Sequence, residues 1–161
     1  MSQRFEQQIS YVALGIQDVR FNFKSRDELP PVLKALQYIF ITSDLNEKVF
    51  ALLQKKLLNV KRKIDYEEMD LWHMLVLAVV RRAVDANWDR LEYIANYDRL
   101  VRQIMGLHGM GYLSDDNEIK FDYQTILDNV SLVDETLLEE VNQLVLETGH
   151  QLLKKRKRRS L

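Results

Sequence analysis

The sequence predicts an all-α protein: a compact multi-helix bundle that contains a helix-turn-helix-like pair, with a short extended N-terminal arm. Apolar residues recur at spacings of three and four over most of the 161 residues. Glycine (5) and proline (2) are scarce, whereas an all-β sandwich needs a turn about every 8–12 residues. The hydrophobic share of 47% can form a core, which excludes disorder for most of the chain.

Charge and hydropathy divide the chain into an arm (1–24), a helical domain (25–153) and a basic tail (154–161). In the arm, Val19, Phe21 and Phe23 alternate with polar residues, which favours a short strand or an extended arm. Residues 1–153 carry a net charge of −7 and the tail carries +6. Overall charge therefore does not favour nucleic-acid binding, and any DNA contact must come from local patches. Such patches can equally be solvated faces.

The first two helices are predicted from their start signals. Ser25 and Glu28 have the spacing of a capping box, and the two prolines that follow are tolerated in a first helical turn. A helix is expected from there to about residue 41. A second helix is expected to begin at residues 42–44 and to run to residue 58, where a basic connector follows.

Residues 69–84 form the most apolar segment, and their apolar side chains cover most of a helix circumference. Such a helix belongs in the middle of a bundle. His73 lies within it, where a hydrogen-bonded core or boundary histidine is more common than a metal ligand. The longest clean apolar run, residues 74–80, is far shorter than the roughly 20 residues that span a bilayer.

Two short helices are expected between residues 87 and 106; the segment 85–87 caps the first, Asp98 caps the second, and Gly106 ends the pair. Their spacing is typical of a helix-turn-helix, although two ordinary bundle helices explain it as well. In the second helix, Arg99, Arg102 and Gln103 are predicted to share a polar face. Arginine there would reach guanine edges or phosphates, and glutamine would pair with adenine.

The C-terminal part is predicted to hold a loop at residues 107–118, a short helix at 125–130 and a long amphipathic helix. The signal for the long helix is a second capping-box spacing from Ser131 to Asp134. Its apolar stripe includes Leu137, Val141 and Leu144, and it could pair with itself or with a partner. The alternative functional hypothesis is therefore a helical protein-interaction or oligomerisation module.

The sequence presents no catalytic constellation. The chain has no cysteine, no glycine-rich phosphate loop and no histidines at metal-ligand spacing, because His73, His108 and His150 are far apart. We therefore predict no cofactor, no metal, no catalytic residue and no enzymatic activity for the chain as it stands. The N-terminus has no apolar signal core, and we expect a cytoplasmic protein.

Several segments resemble ISNCY-type insertion-sequence transposases. They are KSRDELP (24–30), MDLWHMLVLAVVR (69–81), WDRLEYIANY (88–97), LVRQIMG (100–106), QTILDNVSL (124–132) and the Gly-His pair at 149–150. The resemblance implies an N-terminal helical region that recognises transposon ends. In the full-length family this region precedes a catalytic core whose acidic residues hold two divalent metals. This chain stops where that core would begin, so a truncated transposase is expected.

These observations together predict the DNA-binding N-terminal part of a transposase, without strand-transfer activity of its own. The expected partners are double-stranded DNA (transposon terminal repeats) and a further copy of the chain, since transposases commonly work as multimers; no membrane contact is expected. Arg99, Arg102 and Gln103 would read the groove, and Tyr97 is assigned to the same interface. Arg90 and the tail would hold phosphates, the tail residues being Lys154, Lys155, Arg156, Lys157, Arg158 and Arg159.

Overall fold

The computed structural model describes residues 3–7, 14–24, 26–61, 69–107 and 119–147, which form helices joined by short connections. The seven α-helices in these ranges are α1 (Leu29–Ile41), α2 (Ser43–Lys61), α3 (Leu71–Ala83), α4 (Trp88–Tyr97), α5 (Arg99–Met105), α6 (Tyr123–Val130) and α7 (Glu135–Glu147). A 3₁₀ turn spans Ile16–Asp18. No strand occurs in these ranges, and the all-α prediction is confirmed.

Helix α3 is the centre of the bundle, as its all-round apolar sequence predicts. It packs against α1, α2, α4, α5 and α6. Trp72, Met74 and Leu75 are fully enclosed, and the indole N–H of Trp72 donates to the carbonyl of Ile104 at 2.7 Å. This hydrogen bond satisfies a polar group that would otherwise be buried without a partner, and it fixes α5 against α3.

The predicted helix ends around the short pair are confirmed. Asn87 accepts a hydrogen bond from the backbone N–H of Arg90, and Asp98 accepts one from Val101. Gly106 has a left-handed φ of 78° and ends α5. Here local sequence signals and tertiary packing agree.

One capping prediction needs correction, and another lies outside the described residues. The carboxylate of Asp27 accepts from the N–H of Leu29 at the start of α1, whereas the predicted cap Ser25 lies outside the described residues. Helix α7 is capped by Asp134, whose carboxylate accepts from Leu137, and Ser131 ends α6 instead. The Ser131–Asp134 spacing resembled a capping box, but Asp134 is itself the cap.

The arm contributes to the core. Phe5, Ile16 and Val19 are buried among the helices, while Phe23 at its end is exposed. The Asn46 side chain of α2 accepts from the backbone N–H of Phe5 and donates to the carbonyl of the same residue. This two-point contact makes the described part of the arm integral to the bundle.

No described helix is both long and apolar enough to cross a membrane. The predicted loop, from residue 108 to 118, and the basic tail lie outside the described residues.

Candidate nucleic-acid interface

Arg102 lies inside the domain, which corrects its predicted role in reading DNA. Its side chain is only 2% exposed. One terminal nitrogen donates to the carbonyl of Ala95 at 2.7 Å, and the other donates to the carbonyl of Ile119 at 2.7 Å. A guanidinium held by two carbonyls below the surface cannot reach a base edge or a phosphate.

Helix α5 as a whole is unsuited to enter a groove. Four of its seven residues are buried: Val101, Arg102, Ile104 and Met105. Gln103 is half-buried, and Arg99 at the first turn is exposed. A recognition helix needs a free polar face along its length, so the polar face predicted from Arg99, Arg102 and Gln103 is not present.

The exposed face of α4 carries a row of aromatic and cationic side chains instead. Tyr93 is 57% exposed and Tyr97 is 64% exposed, and their ring centroids lie 5.1 Å apart at an interplanar angle of 40°. The guanidinium of Arg90 lies over the Tyr93 ring, 5.6 Å from its centroid. The ammonium of Lys120 lies 4.6 Å from the Tyr97 centroid. We call these four residues the α4 ladder.

Lys120 comes from a distant part of the chain and is fixed by hydrogen bonds. Its ammonium donates to the carbonyl of Asn96 at 2.7 Å. The Asn96 side chain donates to the carbonyl of Phe121 and accepts from its N–H, while Arg102 holds the carbonyl of Ile119. Residues 119–121 are thereby tied to α4 and α5, and the Lys120 charge is positioned before any ligand arrives.

Acidic residues flank one side of the ladder. With about 100° between successive helix positions, Arg90 and Tyr97 lie to one side of Tyr93, whereas Asp89 and Glu92 lie to the other. A polyanion would therefore be attracted to the Arg90 and Tyr97 side, where Lys120 is placed, and repelled from the Asp89 side.

The apolar stripe of α7 is used within the domain. Leu137 is 5% exposed and Val141 is 4% exposed, and Leu144 packs partly buried against the same core. Helix α7 contacts α2. The side chains that suggested pairing with a second helix thus already have partners in their own chain.

His73 is a partly buried histidine at the boundary of the core. Its Nε2 lies 2.9 Å from the carbonyl of Met105, and its ring meets Phe121 edge to face. Burial lowers the pKa of His73, against the opposing influence of the Asp70 carboxylate. Across the described ranges, no three acidic or histidine side chains converge as a metal site.

A groove of about 510 Å³ lies between the end of α3, the start of α4 and the α6–α7 connection. On its wall the Arg81 guanidinium stacks 4.1 Å from the Trp88 ring centroid. Arg82 forms an ion pair with Glu135, and this hydrogen bond lowers the pKa of the Glu135 carboxyl. Both arginines lie in the last turn of α3, where a positive charge interacts favourably with the helix dipole. Their contacts and position therefore have a structural explanation.

Sequence reasoning identified only part of the ladder. Arg90 and Tyr97 were predicted, and both are exposed on it. Tyr93 was missed, although its position one turn from both residues was a readable signal. Lys120 follows the predicted loop, and its place on Tyr97 depends on hydrogen bonds between distant segments. The six basic tail residues assigned to phosphates lie outside the described residues.

Comparisons with protein-family models, with curated proteins and with solved structures find no match for this chain. The resemblance to transposases stays a prediction.

Proposed function

We propose that this helical domain binds DNA through the α4 ladder and the neighbouring Arg99, and that it acts by binding without catalysing strand transfer. The observation that carries the proposal is the pair of exposed tyrosines bracketed by Arg90 and the fixed Lys120. Arginine and lysine attract phosphates through counterion release. A charge already held in place loses little side-chain entropy on binding.

The finer identity follows from the resemblance to ISNCY-type transposases, which implies that the DNA is a transposon end. The ladder replaces α5 as the contact surface, because Arg102 and most of α5 are buried. In this proposal Arg102 is a positioning residue, which holds the segment that carries Lys120.

The test is fluorescence anisotropy with a labelled mixed-sequence duplex over a series of salt concentrations. The double variant Arg90→Gln/Arg99→Gln is compared with Lys48→Gln/Lys55→Gln, which removes two exposed cations from α2. If both arginines contact phosphate, the first variant flattens the slope of log K against log salt by about 2. The α2 control should leave it unchanged.

Equal effects of the two double variants would contradict the assignment of the interface. A second result would also contradict the assignment: Arg90→Gln/Arg99→Gln has no effect, whereas changing the tail lysines and arginines to glutamine abolishes binding. Selection from a randomised duplex pool tests the finer identity. Enrichment of a sequence repeated at the flanks of the encoding element supports it, and an unenriched pool contradicts it.

A further inference from the structure

We infer that the α4 ladder accepts unpaired nucleotides, with bases stacked on Tyr93 and Tyr97 and phosphates beside the flanking cations. This inference rests on the proposed function and names the form of nucleic acid that the face recognises. It begins from the two phenol rings, which are 57% and 64% exposed on one side of α4. Tyrosine is intermediate in burial among residue types, and here two rings lie side by side at the surface with a cation next to each.

The chemistry of the ladder matches a single strand better than a duplex. In a duplex the faces of the bases are already stacked on one another, and a protein meets only base edges, sugars and phosphates. An exposed aromatic ring gains most from the face of an unpaired base, and this stacking is tolerant of sequence. The recognition helix that would read a groove is not available, because α5 is largely buried.

The dimensions of the ladder suit a short stretch of strand. Arg90 and Tyr97 are seven positions apart, which corresponds to about 10 Å along a helix. At about 3.4 Å per nucleotide of a stacked strand, this length accommodates about three nucleotides. Cations occur at both ends, since Arg90 lies over Tyr93 and Lys120 lies over Tyr97. Along the ladder, two rings lie between two cations. A short single strand presents the matching order, with stacked bases between phosphates.

The carboxylates beside the ladder restrict where a nucleic-acid strand can bind. Asp89 and Glu92 border the ladder on the side away from Arg90 and Tyr97. The third carboxylate near the face, Asp98, is engaged in capping α5 through the N–H of Val101. A strand would therefore follow the side of α4 on which Arg90 and Lys120 lie.

The experiment compares three labelled probes with the full chain: a 12-nucleotide oligothymidine, a blunt 12-base-pair duplex, and that duplex with a six-nucleotide overhang. We expect the single strand and the overhang duplex to bind at least about ten-fold more tightly than the blunt duplex. Tyr97→Leu should weaken the single strand about ten-fold, because it keeps an apolar side chain but removes the stacking ring. Tyr97→Phe should retain single-strand binding, because the stacking ring remains.

The matched control is Phe23→Ala, which removes an exposed aromatic ring from the arm and should leave all three affinities unchanged. Far-UV circular dichroism and urea midpoints verify that the variants fold. If the blunt duplex binds as tightly as the single strand and Tyr97→Leu has no effect, the inference is overturned while the proposed function stands.

Absence of binding to every probe overturns both proposals. Both proposals are also overturned if the protein binds no probe, sediments as a dimer, and dissociates on the change Tyr97→Leu. The ladder would then be a protein interface. Weakened single-strand binding by both Tyr97→Leu and Phe23→Ala also overturns the inference, since the effect would not be specific to the ladder.

Discussion

Replacing Arg102 by methionine should unfold the protein more readily rather than weaken a surface contact. Arg102 is 2% exposed, and its guanidinium donates to the carbonyls of Ala95 and Ile119, each at 2.7 Å. A hydrogen bond that involves a charged group stabilises a protein by about 1.5–3 kcal/mol. Loss of both corresponds to about 3–6 kcal/mol, and we expect a loss of about 3 kcal/mol because methionine removes the cost of burying a charge. This is a large part of the typical 5–15 kcal/mol.

Urea denaturation followed by circular dichroism measures this loss. For a slope of about 2 kcal/mol per molar urea, the midpoint should fall by about 1.5 M. The matched control is Arg99→Met, three positions away on the same helix and exposed, which should change the free energy of unfolding by less than about 0.5 kcal/mol. If Arg102→Met left the midpoint unchanged, or if Arg99→Met were the more destabilising variant, the burial argument would be refuted.

Three further predictions concern stability. The free energy of unfolding should decrease as the pH falls below about 6.5, because burial lowers the pKa of His73 from 6.5 and the unfolded chain then binds a proton that the folded chain does not. The difference between the urea midpoints at pH 7.5 and 5.5 should be smaller in His73→Gln than in the unchanged protein. An equal difference in both would exclude His73 as the cause. Asp85 has a φ of 51° where α3 ends, so Asp85→Gly should raise the free energy of unfolding by about 0.5 kcal/mol in urea titration, and a lower midpoint would contradict this reading of strain. Gly106 has a φ of 78°, and a Cβ there would lie 3.1 Å from Cγ of Gln7. Gly106→Ala should therefore lower the free energy of unfolding by about 1–2 kcal/mol, measured as a lower thermal midpoint. An unchanged midpoint would show that the turn adapts.

The helices were predictable because their signals are local. The prolines of α1 and the caps Asn87, Asp98 and Gly106 lie within a few residues of the ends that they define. The all-round apolar sequence of α3 predicted its central position, since such a helix must be covered on every side. The error at Ser131 is also local, because Asp134 was read as the partner of a cap and is itself the cap.

The candidate site was predictable only in part. Arg90 and Tyr97 lie on α4, whose outer face can be predicted from the positions of its buried residues. Arg102 misled the prediction because a helix of seven residues can be covered on more than one side. Periodicity along the helix places the guanidinium of Arg102 in solvent. In the structure, the carbonyls of Ala95 and Ile119 provide partners for it inside the domain.

By itself the sequence determined the all-α class, the order of the helices and most of their ends, because these depend on residues that are neighbours along the chain. Tertiary structure alone decided which arginines face solvent and that Lys120 lies on Tyr97. Those outcomes depend on contacts across 17 to 25 residues of sequence. Such contacts form only when separate segments pack together, and no local periodicity encodes them.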